Sequence, residues 1–180
     1  FTGMTEYLGI INNKKTIMLM YGEKFSVIPF TTHINLGSIK KNLNIKKLND
    51  FLKLLLVLIK EKKYRLNFKH LIFLCYNPHC SEDGTIGNED KLISNSIKKF
   101  KKIMGPYPAD SAFNNFEKGS LYISTYHDQC LIPFKILNNK GINITLGLNY
   151  RRLSPSHGTA VDKKFKNMSN NSSYLACMQI

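Results

Sequence analysis

The stretch that decides the fold is LIFLCY, residues 71–76. It is a continuous apolar run about as long as one strand, which is typical of a strand buried on both faces of a parallel sheet. A polar loop, NPHCSEDG at 77–84, follows directly. Because ligands collect at the carboxyl ends of strands in open α/β sheets, this loop is the first candidate region for function.

Helical and strand patterns alternate on both sides of this run. Apolar spacing predicts a helix over 45–63, with Asn44 as its N-cap, and a second helix over 89–104 that stops at Gly105-Pro106. Four more strands are predicted, with a helix between the last two, at 16–20, 24–31, 121–125 and 142–148. The alternation predicts an α/β sandwich.

Composition argues against several functional classes. An apolar share of 43% in 180 residues is enough for a globular core. The formal charge of +14 comes almost entirely from lysine, since arginine occurs only at 65, 151 and 152, and no nucleic-acid-reading motif accompanies it. A basic nucleic-acid-binding module is therefore only a weak alternative.

The apolar runs and the cysteines point to a cytoplasmic protein. The longest apolar run, 54–59, is far short of the roughly 20 residues that span a membrane, so no membrane partner is expected. Four scattered cysteines form no CxxC pair, so neither a disulfide framework nor a cysteine zinc site is expected. A reducing cytoplasm is the predicted location.

Polar side chains that could do chemistry follow the predicted strands. His33, His79 and His127 each come just after a strand, but no HxxxH or HExxH pattern joins them. Spacing alone therefore leaves metal binding and ordinary loop capping both open. Asp110 and Asp128 could orient a metal-bound water or act as general bases, and either could equally be a cap.

Seven stretches, taken together, resemble the 4-hydroxythreonine-4-phosphate dehydrogenases of pyridoxal phosphate biosynthesis. They are TGMTEYL at 2–8, TTHI at 31–34, NPH at 77–79, GPYPAD at 105–110, YHDQ at 126–129, GINITLGL at 141–148 and HGTA at 157–160. The resemblance implies a three-layer α/β/α sandwich like that of isocitrate and isopropylmalate dehydrogenases, as the second domain of a two-domain enzyme. Residues 1–155 would form the metal- and substrate-binding domain, and 156–180 a tail that packs on the first domain.

The resemblance also implies a reaction. It is the NAD- or NADP-dependent oxidation of 4-phosphohydroxy-L-threonine, a small phosphorylated hydroxy amino acid, followed by decarboxylation. The product, 3-amino-2-oxopropyl phosphate, enters pyridoxine 5'-phosphate synthesis. A divalent metal such as zinc, magnesium or cobalt would polarise the substrate hydroxyl and stabilise the enolate left by decarboxylation. The family forms homodimers whose active sites use both subunits, so a second copy of this chain is the expected partner.

Particular residues inherit roles from this resemblance. His79 and His127 map onto metal ligands, and Met4 occupies the position of the third histidine. Since a thioether is a poor ligand for zinc or magnesium, a weakened or lost metal site is expected. Catalysis, substrate binding and NAD binding are assigned in that order to three sets: Asp110, Asp128 and Lys135; Lys135, Asn143 and Arg152; and His157, Gly158, Thr159 and Ala160.

Two departures from the family pattern, and two alternatives, stay open. Ser81 and Cys130 stand where the family has glycine, and each added side chain is expected to affect its loop backbone. The similar D-threonate and D-erythronate 4-phosphate dehydrogenases share the same motifs. A truncated, catalytically silent subunit that acts as a dimer partner is consistent with Met4.

Overall fold

Seven strands form one sheet at the centre of the protein. The structure is a computed structural model that describes residues 3–156 and 170–180. The strands are β1 (Ile17–Tyr21), β2 (Ser26–Thr31), β3 (Leu71–Leu74), β4 (Ile103–Tyr107), β5 (Leu121–Tyr126), β6 (Ile142–Leu146) and β7 (Arg152–Pro155). Their order is β4-β3-β5-β2-β1-β6-β7. β2, β5, β3 and β4 run parallel, whereas β1 is antiparallel to β2 and β6, and β7 is antiparallel to β6.

Helices cover both faces of this sheet. They are α1 (Met4–Ile11), α2 (Ile39–Asn42), α3 (Ile45–Leu58), α4 (Glu89–Ile97), α5 (His127–Leu137) and α6 (Ser172–Gln179). Three short 3-10 turns complete the described elements: Leu36–Ser38, Lys62–Tyr64 and Pro78–Gly84. None of the helices within the described ranges is long and apolar enough to cross a membrane.

The predicted three-layer α/β/α sandwich is confirmed by the two buried clusters. One lies under α3 and α4, where Leu52 and Ile93 join Phe73 of the sheet. The other lies under α5, where Phe134 packs with Val27. All four residues of β3 are buried, as the apolar run predicts. Burying apolar surface on both faces is the main stabilising contribution, at about 25 cal/mol per Å².

The predicted N-cap of α3 is also confirmed. The Asn44 side chain accepts a hydrogen bond from the Lys47 amide at 2.9 Å, which satisfies one of the unpaired N–H groups in the first turn. The helix ends at Leu58, five residues before the predicted boundary.

The second predicted helix is wrong beyond Ile97. Residues Ile103–Tyr107 form β4, which pairs in parallel with β3 through Leu71↔Ile103 and Ile72↔Met104. The spacing of the apolar residues near 100–104 fits a helix as well as a strand, and pairing at the edge of the sheet decides between them. The Gly105–Pro106 peptide bond that follows is cis.

The expectation for the cysteines also needs a correction. Cys75 and Cys80 form a disulfide, while Cys130 and Cys177 are free. The loop after β3 brings Cys80 back beside Cys75, with the two Cα atoms 5.0 Å apart. This return depends on the backbone conformation of the loop, which the cysteine spacing does not reveal.

Candidate functional site

Two imidazoles meet where neighbouring parallel strands end. β2 and β5 pair in parallel through Thr31↔Tyr126, so the carboxyl ends of both strands lie at the same edge of the sheet. His33 follows β2, and His127 begins α5 directly after β5. Their ring centroids are 5.6 Å apart, and both rings line a cavity of about 240 Å³ together with Asp128. The edge of the sheet therefore carries a compact polar site.

Each imidazole has a carboxylate at the same ring nitrogen. His33 Nδ1 lies 3.2 Å from Glu6 Oε2, and His127 Nδ1 lies 2.7 Å from Asp128 Oδ1. A carboxylate only accepts hydrogen bonds, so a neutral imidazole in either contact carries its proton on Nδ1. Its Nε2 then keeps a lone pair, which is the form that ligates metals or accepts protons.

Glu6 is held in its charged form by its surroundings. Partial burial alone would raise the pKa of Glu6, but a hydrogen bond from the Thr32 hydroxyl and the nearby His33 outweigh it. The pKa of Glu6 therefore lies below its usual value. A charged carboxylate is the stronger hydrogen-bond acceptor for His33.

The first turn of α1 connects the imidazoles to a half-buried cation. Thr5, next to Glu6, has its Oγ1 3.4 Å from Thr145 Oγ1. The same Thr145 oxygen accepts a hydrogen bond from Arg152 Nη1, also at 3.4 Å. Burial lowers the pKa of Arg152, and no carboxylate among the described residues forms an ion pair with it. A half-buried cation of this kind is suited to bind an anion such as a phosphate or carboxylate.

Asn143 is the other predicted substrate residue that the sheet places near this cation. It stands two residues before Thr145 on β6, so the two side chains share one face of the sheet. Its Oδ1 is buried and has no hydrogen-bond partner within the described structure. A buried acceptor without a partner costs about 1–3 kcal/mol, which a donor on a bound ligand would recover.

Three further predicted residues are not drawn into the cluster. Lys135 is on the exposed side of α5, and Asp110 is exposed in the turn after β4. Neither side chain forms a hydrogen bond or ion pair with another described residue, so both are solvated. Met4 opens α1 and is 53% exposed. Residues His157, Gly158, Thr159 and Ala160, predicted to bind NAD, lie outside the described residues.

His79 lies on a turn with an unusual backbone. Residues 79–83 all have positive φ, between 41° and 70°, and none of them is glycine. Ser81 stands where the family has glycine and has φ 70°, so a residue with a side chain adopts a backbone conformation that favours glycine. The effect expected at Cys130 differs, because Cys130 is helical, fully buried in α5, and accepts a hydrogen bond from the Ser124 hydroxyl.

Acidic residues of α4 hold the base of this turn. Asp90 accepts hydrogen bonds from the Tyr76 amide at 2.6 Å, the Asn77 amide at 3.1 Å and the Ser81 hydroxyl at 2.6 Å. Glu89 pairs with Lys40 at 2.6 Å and accepts from the Asn77 side chain at 2.9 Å. The Lys40 and Asn77 contacts lower the pKa of Glu89 to about 2.

The metal expected from the sequence fits these residues only in part. His33 and His127 offer two imidazole donors of the kind that zinc prefers. Within residues 3–156 and 170–180, however, no three His, Cys, Asp or Glu side chains are grouped so as to hold one ion. The donor chemistry of one chain is suitable and the donor number is insufficient, so no catalytic step is derived through a metal.

The structure adds His33 and Glu6 to the predicted site. The sequence singles out His33 because it follows a strand and lies in the TTHI stretch, but assigns it no ligand role, and it assigns no role to Glu6. The imidazole next to His127 belongs to His33, whereas the sequence comparison places Met4 at the third ligand position. The pairing of β2 with β5, which brings the two histidines together, has no local signal in the sequence.

Comparisons with known proteins give a consistent result. The family described as pyridoxal phosphate biosynthetic protein PdxA matches residues 1–180. A protein from Hydrogenobaculum sp. (strain Y04AAS1), named 4-hydroxythreonine-4-phosphate dehydrogenase, is 39% identical over 170 residues, covering 93% of this chain and 54% of that protein. A protein of the same name from Aquifex aeolicus (strain VF5) is 37% identical over 188 residues, covering 100% of this chain and 58% of that protein.

A solved structure has the same fold. The crystal structure of 4-hydroxythreonine-4-phosphate dehydrogenase from Klebsiella pneumoniae superposes with a TM-score of 0.78 at 27% identity, covering 99% of this chain and 58% of that one. The chain thus spans a little more than half the length of the relatives it matches.

Proposed function

The chain belongs to the PdxA family, and we propose that it takes part in pyridoxine 5'-phosphate synthesis as a 4-hydroxythreonine-4-phosphate dehydrogenase. In this proposal 4-phosphohydroxy-L-threonine is oxidised at its hydroxyl group and then loses carbon dioxide, which gives 3-amino-2-oxopropyl phosphate. NAD or NADP, when bound, accepts the hydride. Because the chain covers 54% to 58% of its relatives, the activity of these 180 residues alone is part of the proposal.

The observation that carries the proposal is a path of polar side chains at one edge of the sheet, in which Glu6 and Thr5 are linked as neighbours in the first turn of α1. It runs from His127 and His33 through Glu6 and Thr5 to the half-buried Arg152. One end offers imidazole nitrogens for a hydroxyl group, and the other offers a cation for an anionic group. A substrate that carries a hydroxyl group together with an anionic phosphate or carboxylate suits this arrangement.

The residues at the two ends of the path have chemical roles in this proposal. Arg152 and the unpartnered oxygen of Asn143 bind the anionic and donor groups of the substrate. Oxidation removes a hydride from carbon and a proton from the hydroxyl, and a neutral imidazole, held by its carboxylate, can take that proton. Decarboxylation then breaks the bond to the carboxylate carbon, and Lys135, which is solvated in one chain, is the proposed proton donor to the resulting enolate. Asp110 and Asp128 stay proposed as general bases.

The metal and the dimer also belong to this proposal. His79 and His127 are the proposed ligands from the resemblance, but among the described residues of one chain it is His33, and not His79, that lies beside His127. A divalent cation such as zinc, magnesium or cobalt needs a further donor, and a second copy of the chain could supply one. Homodimerisation remains a prediction from the family resemblance, and a cytoplasmic location remains a prediction from the apolar runs and the cysteine pattern.

A substrate assay with matched histidine variants tests the function. NADH formation at 340 nm is followed with 4-phosphohydroxy-L-threonine, D-threonate 4-phosphate and D-erythronate 4-phosphate in parallel. We expect turnover with the first substrate, and a loss of at least about 100-fold in kcat/KM for His127→Asn. His70→Asn is the matched control, because His70 also pairs with a carboxylate, Glu117, at 2.9 Å, but at the opposite end of β5.

The same assay separates the alternatives. Preference for one of the two sugar-acid phosphates would replace the proposed substrate with that one. Absence of turnover with all three, in a folded and dimeric protein, would favour the catalytically silent dimer partner. The incomplete donor set among the described residues of one chain is the observation that keeps this second candidate.

A further inference from the structure

Glu6 is the residue of the site whose role neither the motifs nor the proposed reaction assigns. Its carboxylate lies against the histidine at the end of β2, and α1 supplies it from a separate element. We infer that Glu6 is a positioning residue that fixes His33 as the Nδ1–H tautomer, leaving Nε2 free for a ligand in the cavity shared with His127. The value of this role to catalysis rests on the proposed function.

The two oxygens of Glu6 are used for different purposes. Oε2 faces His33 Nδ1 at 3.2 Å, while Oε1 accepts a hydrogen bond from the Thr32 hydroxyl. Since Thr32 directly precedes His33, one carboxylate restrains both the backbone that carries the imidazole and the imidazole itself. Two such contacts fix the ring orientation better than one. Rotation about χ2 of His33 would break the contact between Nδ1 and Oε2, while the hydrogen bond from Thr32 would keep the carboxylate in place.

Gly3 shows how closely this pair is packed. A Cβ atom at position 3 would lie 2.2 Å from His33 Nδ1 and 2.4 Å from Glu6 Oε2. Real Cβ atoms do not approach so closely, so a side chain here would force the carboxylate and the imidazole apart. The backbone of Gly3 is extended, with φ −160° and ψ 161°, and any residue can adopt it. Glycine at this position is therefore explained by the contact between Glu6 and His33.

A simpler explanation is that Glu6 only fastens α1 to the loop after β2. That role would stabilise the fold, but it would not select one nitrogen of His33 for the proton. The two explanations differ in the tautomer, which can be measured directly. The tautomer is also independent of catalytic turnover, so the test does not need an active enzyme.

The decisive experiment is long-range ¹H–¹⁵N NMR of the histidine rings in the 180-residue chain, at about pH 8.5, where a free imidazole is neutral. We expect His33 to be the Nδ1–H tautomer in the native protein. In Glu6→Gln the amide can present an N–H to Nδ1, and the population should shift toward the Nε2–H form.

Two more variants guard the conclusion. Gly3→Ala keeps both side chains but separates them, so it should shift the tautomer in the same direction and answers the question if Glu6→Gln does not fold. Glu117→Gln is the matched control, since Glu117 pairs with His70 and should leave His33 unchanged. An unchanged His33 tautomer in folded Glu6→Gln, or in folded Gly3→Ala, would overturn the inference.

The outcomes distinguish this inference from the proposed function. If no substrate is turned over but Glu6→Gln still changes the tautomer, the positioning role holds and the proposed reaction fails. If substrate is turned over while the tautomer is independent of Glu6, the reaction holds and the positioning role fails.

Discussion

Two histidine-bearing regions at the same edge of the sheet use their carboxylates in opposite ways. At the ends of β2 and β5, Glu6 and Asp128 contact the imidazoles of His33 and His127 directly. After β3, Asp90 instead binds backbone amides and a serine hydroxyl at the base of the turn that carries His79. The first pair of carboxylates orients side chains, and the second carboxylate shapes a backbone.

This difference shows what an acidic residue near a histidine motif can mean. For His33, the neighbouring carboxylate sets the chemistry of the ring nitrogen. For His79, the carboxylates decide where the residue lies, and the imidazole itself stays exposed. The two regions should therefore respond differently to loss of charge: the first in function and the second in stability.

The largest expected effect comes from Asp90→Asn. Asp90 accepts three hydrogen bonds while 4% exposed, and an asparagine would turn an amide N–H toward one of these donors. We expect the free energy of unfolding to fall by about 3 kcal/mol, because a buried charged acceptor loses its partners. Urea denaturation followed by circular dichroism measures this change.

Asp128→Asn is the matched control for that comparison. The Asp128 side chain is 66% exposed, so its replacement should change the free energy of unfolding by no more than about 0.5 kcal/mol. Equal losses for Asp90→Asn and Asp128→Asn would contradict the division between backbone-shaping and ring-orienting carboxylates.

A smaller effect is expected from Glu89→Gln, with a defined pH dependence. Lys40 and Asn77 lower the pKa of Glu89 to about 2, so its stabilising contribution is complete above the ordinary carboxyl value and is lost as pH falls from about 4.5 to about 2. The partner Lys40 is largely exposed, and after allowing for solvent screening we expect about 1.5 kcal/mol. Urea midpoints at pH 7, 4.5 and 2.5 measure it.

The comparison here is between variants at each pH. Glu89→Gln should be less stable than the native chain at pH 7, and the difference should fall to about a quarter of that value at pH 2.5, where folded Glu89 is still mostly charged. Glu82 is an exposed residue of the turn after β3 and forms no ion pair among the described residues. Glu82→Gln should therefore show the same dependence of stability on pH as the native chain. A constant difference between Glu89→Gln and the native chain across the range would show that Glu89 does not act through its charge.

The smallest effect has the opposite sign. Asp83 has φ 56° and is exposed, so Asp83→Gly removes the strain of a left-handed residue without removing a buried contact. The gain is reduced by the greater freedom of glycine in the unfolded chain, and we expect a net stabilisation of about 0.5 kcal/mol. The urea midpoint should rise without a change in slope.

Ser81→Gly provides the contrast on the same turn. It relieves the same kind of strain at φ 70°, but it removes the hydroxyl that Asp90 and Asn77 bind, so it should destabilise the protein. Stabilisation by Ser81→Gly and destabilisation by Asp83→Gly would mean that the backbone strain and the hydrogen bonds have been assigned to the wrong residues.

The sequence predicts those parts of the fold whose signal is local. The apolar run at 71–76 contains a strand that is buried throughout, and Asn44 caps the helix predicted to follow it. By contrast, β4 is hidden because Ile103 and Met104 are spaced as in a helix, and β7 because RLSP at 152–155 shows no apolar alternation. Pairing with a neighbouring strand stabilises both β4 and β7, and the residues of these strands alone do not predict that pairing.

The candidate site shows the same limit. His33, His79 and His127 are recognisable one by one, since each follows a predicted strand. Which two of them meet depends on the strand order, which places β2 beside β5 and leaves His79 on the separate turn after β3. The carboxylate of Glu6 comes from α1, an element for which the sequence pattern gave no prediction.

The position of β1 between β2 and β6 has a consequence for how the protein is made. Thr5 and Thr145 are in contact in the folded protein although they are 140 positions apart in the sequence. One edge of β1 pairs with β2, and the other stays unpaired until β6 is added. Closing so large a loop is entropically costly and slow. Residue 146 must therefore be synthesised before β1 can be paired on both edges. Until then the nascent chain exposes an apolar strand edge that a chaperone or another incomplete chain can bind.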